Sequence, residues 1–242
     1  MIDTILFDFD GTLLSVSQKE FFGAYFIELR KVFSRYNLES DLAVKGVMVG
    51  TKAMVMNDGK ELNSKRFWEV FSQVVNLTQE QIKPIEAACD RFYSEEFDTL
   101  KYLVKPNDIS RRIVRALPAK GYTVVLATNP MFPEVATKTR LKWLGLELKD
   151  FKYISHYANS SFCKPNLGYY RDLLKTIDKT PPQCIMVGNN PAEDMCVQQL
   201  SMESYLVMDC LENESNVDIT KYRKGFLADL ESFLTALPNI DK

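Results

Sequence analysis

From residue 108 onward, short apolar runs rich in β-branched residues alternate with stretches of helical periodicity. That alternation constrains the fold more than any other feature of the chain. The runs "YTVVLATN" (122–129), "FKYIS" (151–155), "QCIMVG" (183–188) and "SYLVMD" (204–209) read as strands. The stretches between them read as helices. One covers 108–119, with Ile109, Ile113, Val114 and Leu117 inward, and ends at Gly121; another covers 133–144 and ends near Gly145. A third runs through Tyr170, Leu173, Leu174 and Ile177, and "EDMCVQQL" (193–200) makes a fourth. The last spans 222–237 and buries Phe226, Leu227, Leu230, Phe233 and Leu234. Buried strands joined through helices assemble as a parallel, doubly wound sheet, so the fold class is α/β.

The N-terminus supplies one more strand. "ILFDFDGTLL" (5–14) places Ile5, Leu6 and Phe7 ahead of Asp8 and Asp10, and Gly11 permits a sharp turn. Side chains at i and i+2 of a strand point the same way, and two carboxylates so placed repel unless a cation or a shared proton relieves them. Residues 15–105 follow a different rhythm. Helical spacing runs over 18–33 and near 61–75, and Thr78-x-x-Gln81 forms a capping box that opens a third helix. Pro84 is expected to kink that helix or delay its start. Between the first two, "VKGVMVGTKAMVMNDGK" (44–60) is partly apolar and interrupted by Gly46, Gly50 and Gly59. A structureless loop of this length is implausible, so 15–105 is expected to be a helical domain of its own, its aromatic residues forming the core of a helix bundle.

Composition narrows the partners. At 242 residues, 46% hydrophobic and 26% charged, the chain is long and apolar enough for a sizeable core. Its net charge of −2 offers no basic footprint for nucleic acid. No apolar run of roughly eighteen residues is present to span a membrane. The strand pattern begins at once with Asp3 inside it, which argues against a secretory signal. The five cysteines, Cys89, Cys163, Cys184, Cys196 and Cys210, lack metal-type spacing and suit reduced thiols in a cytoplasmic protein. His156 is the only histidine, so any serine or cysteine nucleophile activated by histidine would depend wholly on it. No feature of the sequence sets an oligomeric state.

In doubly wound sheets a ligand sits beyond the carboxyl ends of the strands. Asp8 and Asp10 follow the first strand, Thr128 and Asn129 the second, Lys164 the third, and Asn189, Asn190, Glu193 and Asp194 the fourth. Four strand ends thus bring carboxylates, a hydroxyl and an amine to one rim, a convergence that points to catalysis.

This ordered set resembles the haloacid dehalogenase-like (HAD) hydrolase superfamily, specifically its phosphatases with a helical cap inserted after the first motif. "DFDGTLL" resembles motif one, "ATN" (127–129) motif two, "CKPN" (163–166) the motif-three lysine and "VGNNPAEDM" (187–195) motif four. The resemblance implies a Rossmann-like catalytic core over 1–14 and 106–242 and a cap over 15–105, hinged near 14–17 and 104–107. It implies Asp8 as nucleophile, forming an aspartyl-phosphate, and Asp10 as the acid–base residue. Thr128, the backbone beside it at Asn129, and Lys164 would bind phosphoryl oxygens. Mg²⁺ would be held by Asp8, the Asp10 carbonyl and a motif-four residue. Thr12 would fix the motif-one turn. The family commonly has Gly-Asp where this chain has Gly188-Asn189, so Asp194 is expected to be the principal carboxylate partner of the metal besides Asp8, with Asn189 an amide alternative. The expected substrate is a small phosphorylated metabolite, with Lys52 of the cap as a possible anion contact. Phosphomutase chemistry, phosphonatase chemistry through a cap lysine such as Lys45 or Lys52, and a weakly active phosphate-binding regulatory protein share this pattern. Dehalogenases generally lack the second aspartate.

Overall fold

A computed structural model of the chain describes residues 1–105 and 107–240. The expected core segment begins at 106 and closes at 242, so its first residue and its last two lie outside the described residues. Six strands form one parallel sheet in the order β3-β2-β1-β4-β5-β6. They are β1 (Thr4–Phe7), β2 (Thr123–Leu126), β3 (Tyr153–Ile154), β4 (Cys184–Gly188), β5 (Glu203–Val207) and β6 (Lys224–Gly225). The first five match the expected runs. β6 was not expected: Lys224 and Gly225 pair with Leu206 and Val207, and the last helix, α8 (Leu227–Ala236), starts only beyond them. Two residues, one charged and one glycine, carry no strand periodicity.

The sheet is covered on both faces. Ile5, Phe7, Val124, Leu126, Ile185 and Val187 share one core with α5 (Ile109–Ala116), α6 (Glu134–Trp143) and α8. Leu6, Val125, Cys184 and Met186 face the other way, against Tyr170, Leu173 and Leu174 of α7 (Leu167–Thr176). Successive strand residues therefore enter different cores, which is why these runs are apolar throughout rather than alternating. Each fully buried large side chain contributes roughly 1.5–3 kcal/mol. The register sets Phe7 beside both Leu126 and Val187, so the chain leaves β1, β2 and β4 at one level. Sequence neighbours diverge on either side of β1, and this reversal of strand order opens a crevice at those carboxyl ends.

Among the described residues between β1 and α5 lie four α-helices, α1 (Gln18–Ser34), α2 (Ser40–Val55), α3 (Asn63–Val75) and α4 (Gln79–Arg91), followed by a π-helical turn (Phe92–Glu96) and a 3-10 helix (Phe97–Leu103). The Thr78–Gln81 capping box starts α4 as expected; Pro84 lies inside the helix and does not delay its start. The segment with interrupting glycines is instead mostly helical, because Gly46 and Gly50 sit where α3 approaches α2. A Cβ at Gly46 would lie 2.9 Å from the Phe71 ring, and one at Gly50 would lie 2.8 Å from Phe67. The glycines close a helix pair rather than break a helix. The two chain crossings of this insertion run side by side, Lys105 N–H donating to the Ser15 carbonyl at 2.9 Å. A second attachment is made by the start of α3, where Asn63 and Ser64 N–H donate to the carbonyls of Ser160 and Tyr157. The Asn63 amide, buried, also reaches the Pro130 and Phe162 carbonyls at 3.3 Å.

Candidate active site

Asp8 follows the end of β1 and Asp10 lies in the turn beyond it. Gly11 takes a left-handed conformation (φ 85°), letting its N–H and that of Thr12 bond back to Leu14 and Phe9 carbonyls. The Thr12 hydroxyl lies 3.0 Å from both Asp8 Oδ2 and Asn189 Oδ1, fixing the motif-one turn as the resemblance implied and tying it also to motif four, which was not expected. Lys164, delivered by the loop after β3 and only 1% exposed, is the centre of the charge arrangement. Its Nζ donates to Asp8 Oδ1 at 2.9 Å and to Asp194 Oδ1 at 2.6 Å. Burial alone would push the ammonium down, but Asp194 and Asp8 push it up by more, so it stays charged.

Asp194 is equally buried, and its second oxygen accepts from the Asn190 N–H at 3.0 Å. Burial drives its carboxyl upward, against the pull of Lys164 and with a further push from Asp8. Gly188 makes room for it: a Cβ there would stand 2.1 Å from Asp194 Oδ2. Asn189 is a brace in this arrangement. Its Nδ2 donates to the Cys210 carbonyl at 2.7 Å while its Oδ1 takes the Thr12 hydroxyl, so its amide is held by protein on both sides.

Thr128 and Asn129 stand where expected, just beyond the end of β2. Among the described residues Thr128 Oγ1 makes no hydrogen bond, while the Thr128 carbonyl accepts from the Tyr169 hydroxyl at 3.0 Å. The Asn129 side chain ties the rim together, donating to Glu193 at 3.0 Å and accepting the Lys164 N–H at 3.2 Å. Lys52 is not brought to the rim: it is exposed near the end of α2 and does not line the crevice. Lys45 is likewise exposed on α2.

Two charged groups escaped the sequence reading. Arg140 on α6 is 1% exposed, and its Nη1 donates to both Asp10 oxygens at 2.7 and 2.6 Å. Its guanidinium lies over the rings of Phe132 and Phe9, at 4.6 and 5.2 Å from their centroids. Burial raises the Asp10 carboxyl, Arg140 opposes that, and Asp8 adds to it. Nothing in "TKTRLKW" distinguishes Arg140 from the solvated cations around it. Glu212, in the loop beyond β5, is pushed up to about 8 by burial and by Asp8, Glu193, Asp10 and Asp194. Carrying the strand-end rule one strand further would have found it. The crevice itself measures about 50 Å³ and is walled on its open side by Gln18, Phe21 and Phe22 of α1. By the measure that allots a water roughly 10–15 Å³, it holds a few water-sized groups.

The chain belongs to the haloacid dehalogenase-like hydrolases, whose family model matches residues 2–195. No curated protein matches the sequence. Among solved structures, a HAD phosphatase from Thermococcus onnurineus is similar with a TM-score of 0.61 at 15% identity, over 99% of this chain and 100% of that one. A 2-haloacid dehalogenase from Pseudomonas syringae pv. Tomato DC3000 gives 0.63 at 15% identity, over 97% and 99%. The HAD-hydrolase YfnB from Bacillus subtilis, solved bound to magnesium, gives 0.55 at 19% identity, over 96% and 98%. At such identities the likeness shows the fold.

Proposed function

We propose that this hydrolase is a Mg²⁺-dependent phosphomonoesterase that acts on a small phosphorylated metabolite through an aspartyl-phosphate on Asp8. The observation that carries the reading is Lys164, buried and charged, held between Asp8 and Asp194, two carboxylates that line a crevice the size of a phosphoryl group. An Asp8 oxygen attacks phosphorus as the bond from phosphorus to the alcohol oxygen breaks. Asp10 supplies the proton the departing alkoxide needs, then takes one from the water that attacks the phosphoaspartate, releasing phosphate and Asp8. Asp10 rests paired with Arg140; burial raises its carboxyl, which helps it take up the proton it needs, and it must exchange an Arg140 contact for the leaving oxygen. In this reading Thr128 Oγ1 and the Asn129 N–H would receive phosphoryl oxygens, and Lys164 would do so by giving up a carboxylate contact.

Among the described residues, no three His, Cys, Asp or Glu side chains converge as a metal cage. Mg²⁺ needs none: it retains several waters and takes one or two carboxylates. Asp8, Asp194 and the Asp10 carbonyl are hard oxygen donors that fit it, with Asp194 favoured over Asn189, whose amide is held by Thr12 and Cys210. Bound there, the ion would offset repulsion between phosphate and Asp8. Residues 15–105 act as a cap over the core formed by 1–14 and the segment from 106, with the paired crossings near Ser15 and Lys105 as hinge. Lys45 and Lys52, exposed on α2, give phosphonatase chemistry no support. The five cysteines, none in a disulfide, favour the reducing cytoplasm.

Hydrolysis of 4-nitrophenyl phosphate with and without Mg²⁺ tests the reading. The wild-type chain should turn over only with the metal, and Asp8→Asn should lose activity by on the order of 10³-fold or more. Equal activity of Asp8→Asn would remove Asp8 from the nucleophile role.

A further inference from the structure

The aromatic residues of the insertion do not all pack into a helix core. Several of them line a second space, a cavity of about 390 Å³ between α1, α2, α3 and the loop after β2. Its volume falls within the range of small-molecule sites, whereas the crevice at Asp8 is far too small for more than a phosphoryl group. Phe22, Met131 and Phe132 line both spaces, so crevice and cavity share one wall. These three side chains stand between the crevice and the cavity, so an ester reaching from Asp8 into the cavity would have to displace one of them. Met131 is unbranched and only half-buried, and so is the readiest to turn aside.

The chemistry of the cavity wall is one-sided. Phe26, Leu29, Val47, Phe67, Trp68 and Phe71 supply most of it, and Tyr25 and Tyr93 satisfy each other through a 2.6 Å hydroxyl contact. Among the described residues Asp90 is the one charged lining residue, an acid at an exposed position, and no lysine, arginine or histidine lines the space. Of the polar lining groups, the Thr51 hydroxyl, the Tyr157 phenol and the Trp68 indole N–H make no hydrogen bond among the described residues. The Trp68 indole N–H is buried; the Tyr157 phenol, which burial pushes up and the indole pulls down, stands beside it.

We infer that the alcohol released from the phosphoester is uncharged and mainly apolar, aromatic or bulky aliphatic, with one oxygen acceptor for Trp68, and that it occupies this cavity. The inference rests on the phosphatase reading and names its substrate class. A carboxylate or second phosphate on the leaving group would meet Asp90 and a wall mainly of hydrocarbon, with no compensating cation among the described residues, and a sugar would leave most of its hydroxyls unpaired.

Two measurements made together test it. In the first, kcat/KM is compared for 1-naphthyl phosphate, methyl phosphate, phosphoglycolate and glucose 6-phosphate with Mg²⁺. Naphthyl phosphate should exceed both charged and sugar esters by about 100-fold or more, the scale hydrophobic pockets reach. Thr51→Phe, or Met48→Phe at the exposed mouth, fills the cavity; either should lower the naphthyl value about tenfold and leave methyl phosphate within about twofold. In the second, Trp143→Phe leaves Trp68 as the only tryptophan, and 4-iodophenol is titrated while its emission is followed. Saturable quenching is expected, unchanged when Asp8→Asn is added and lost with Thr51→Phe. Preference for phosphoglycolate or glucose 6-phosphate, or absence of saturable quenching, overturns the inference. Saturable quenching with no ester hydrolysed overturns the phosphatase reading and leaves the cavity as an apolar binding site only.

Discussion

Replacing Arg140 by methionine isolates the contact that sequence reasoning could not see. Methionine keeps an unbranched stem between Phe9 and Phe132 but removes the guanidinium that donates to both Asp10 oxygens. Removing one partner of a buried ion pair typically costs 3–5 kcal/mol, because the other charge is left without compensation. Arg140 has only 1% of its side chain exposed but Asp10 keeps 21%, so water relieves part of the loss and about 3 kcal/mol is expected. For a chain of this length each kcal/mol moves the melting temperature by roughly 2–4 °C, which gives a fall of about 6–12 °C. The partner variant Asp10→Asn removes the charge that would be stranded. In the double variant most of the stability should return, with a coupling of about 2–3 kcal/mol from the four-protein cycle. Thermal and urea denaturation read this directly. An Arg140→Met protein as stable as wild type, or a cycle with no coupling, would refute the argument that the pair is held by burial.

Asn189→Asp, which restores the residue common in the family, should destabilise this chain by about 1–3 kcal/mol, since it sets a carboxylate against the Cys210 carbonyl now served by Nδ2; an unchanged urea midpoint would contradict this. Gly188→Ala should abolish hydrolysis by forcing a Cβ into Asp194, whereas Gly23→Ala, with open space around it on α1, should raise stability by up to about 1 kcal/mol. Retained activity in Gly188→Ala would remove the steric argument. The Glu212 carboxyl is raised from 4.5 to about 8 in the folded chain, so between those values the folded state binds more protons than the unfolded one. Its contribution is present in full below pH 4.5 and is lost as pH rises toward 8. The metal-free protein should therefore melt at a lower temperature at pH 8 than at pH 5, with Glu212→Gln flattening the difference. A rise between those pH values that Glu212→Gln leaves intact would reverse the sign argument.

How much of this was legible depended on what each residue's signal is made of. β1, β2, β4 and β5 were readable because both of their faces are mostly buried, which forces runs of consecutive apolar residues such as 5–7, 124–126, 185–187 and 205–207. Asp8, Thr128, Lys164 and Asp194 were readable because the rule of strand ends and a family pattern select the same positions. Arg140 was not, since a buried arginine and a solvated one look alike until Asp10, 130 positions away, is brought to it. Gly46 and Gly50 misled for a related reason: glycine weakens an isolated helix, but here the gain is close approach of Phe71 and Phe67 from another helix. The cavity beside Phe22 and Trp68 lay beyond pattern altogether. Aromatic residues at helical spacing announce burial, and only packing decides whether they meet each other or enclose a space.

The most direct test is a crystal of this chain grown with Mg²⁺ and beryllium fluoride. A tetrahedral fluoride adduct joined to an Asp8 oxygen, with Lys164 against a fluorine and the ion beside Asp194, is the predicted result. Density for the adduct on any other residue, or a clear crevice at saturating concentrations of both reagents, would contradict phosphoryl transfer to Asp8.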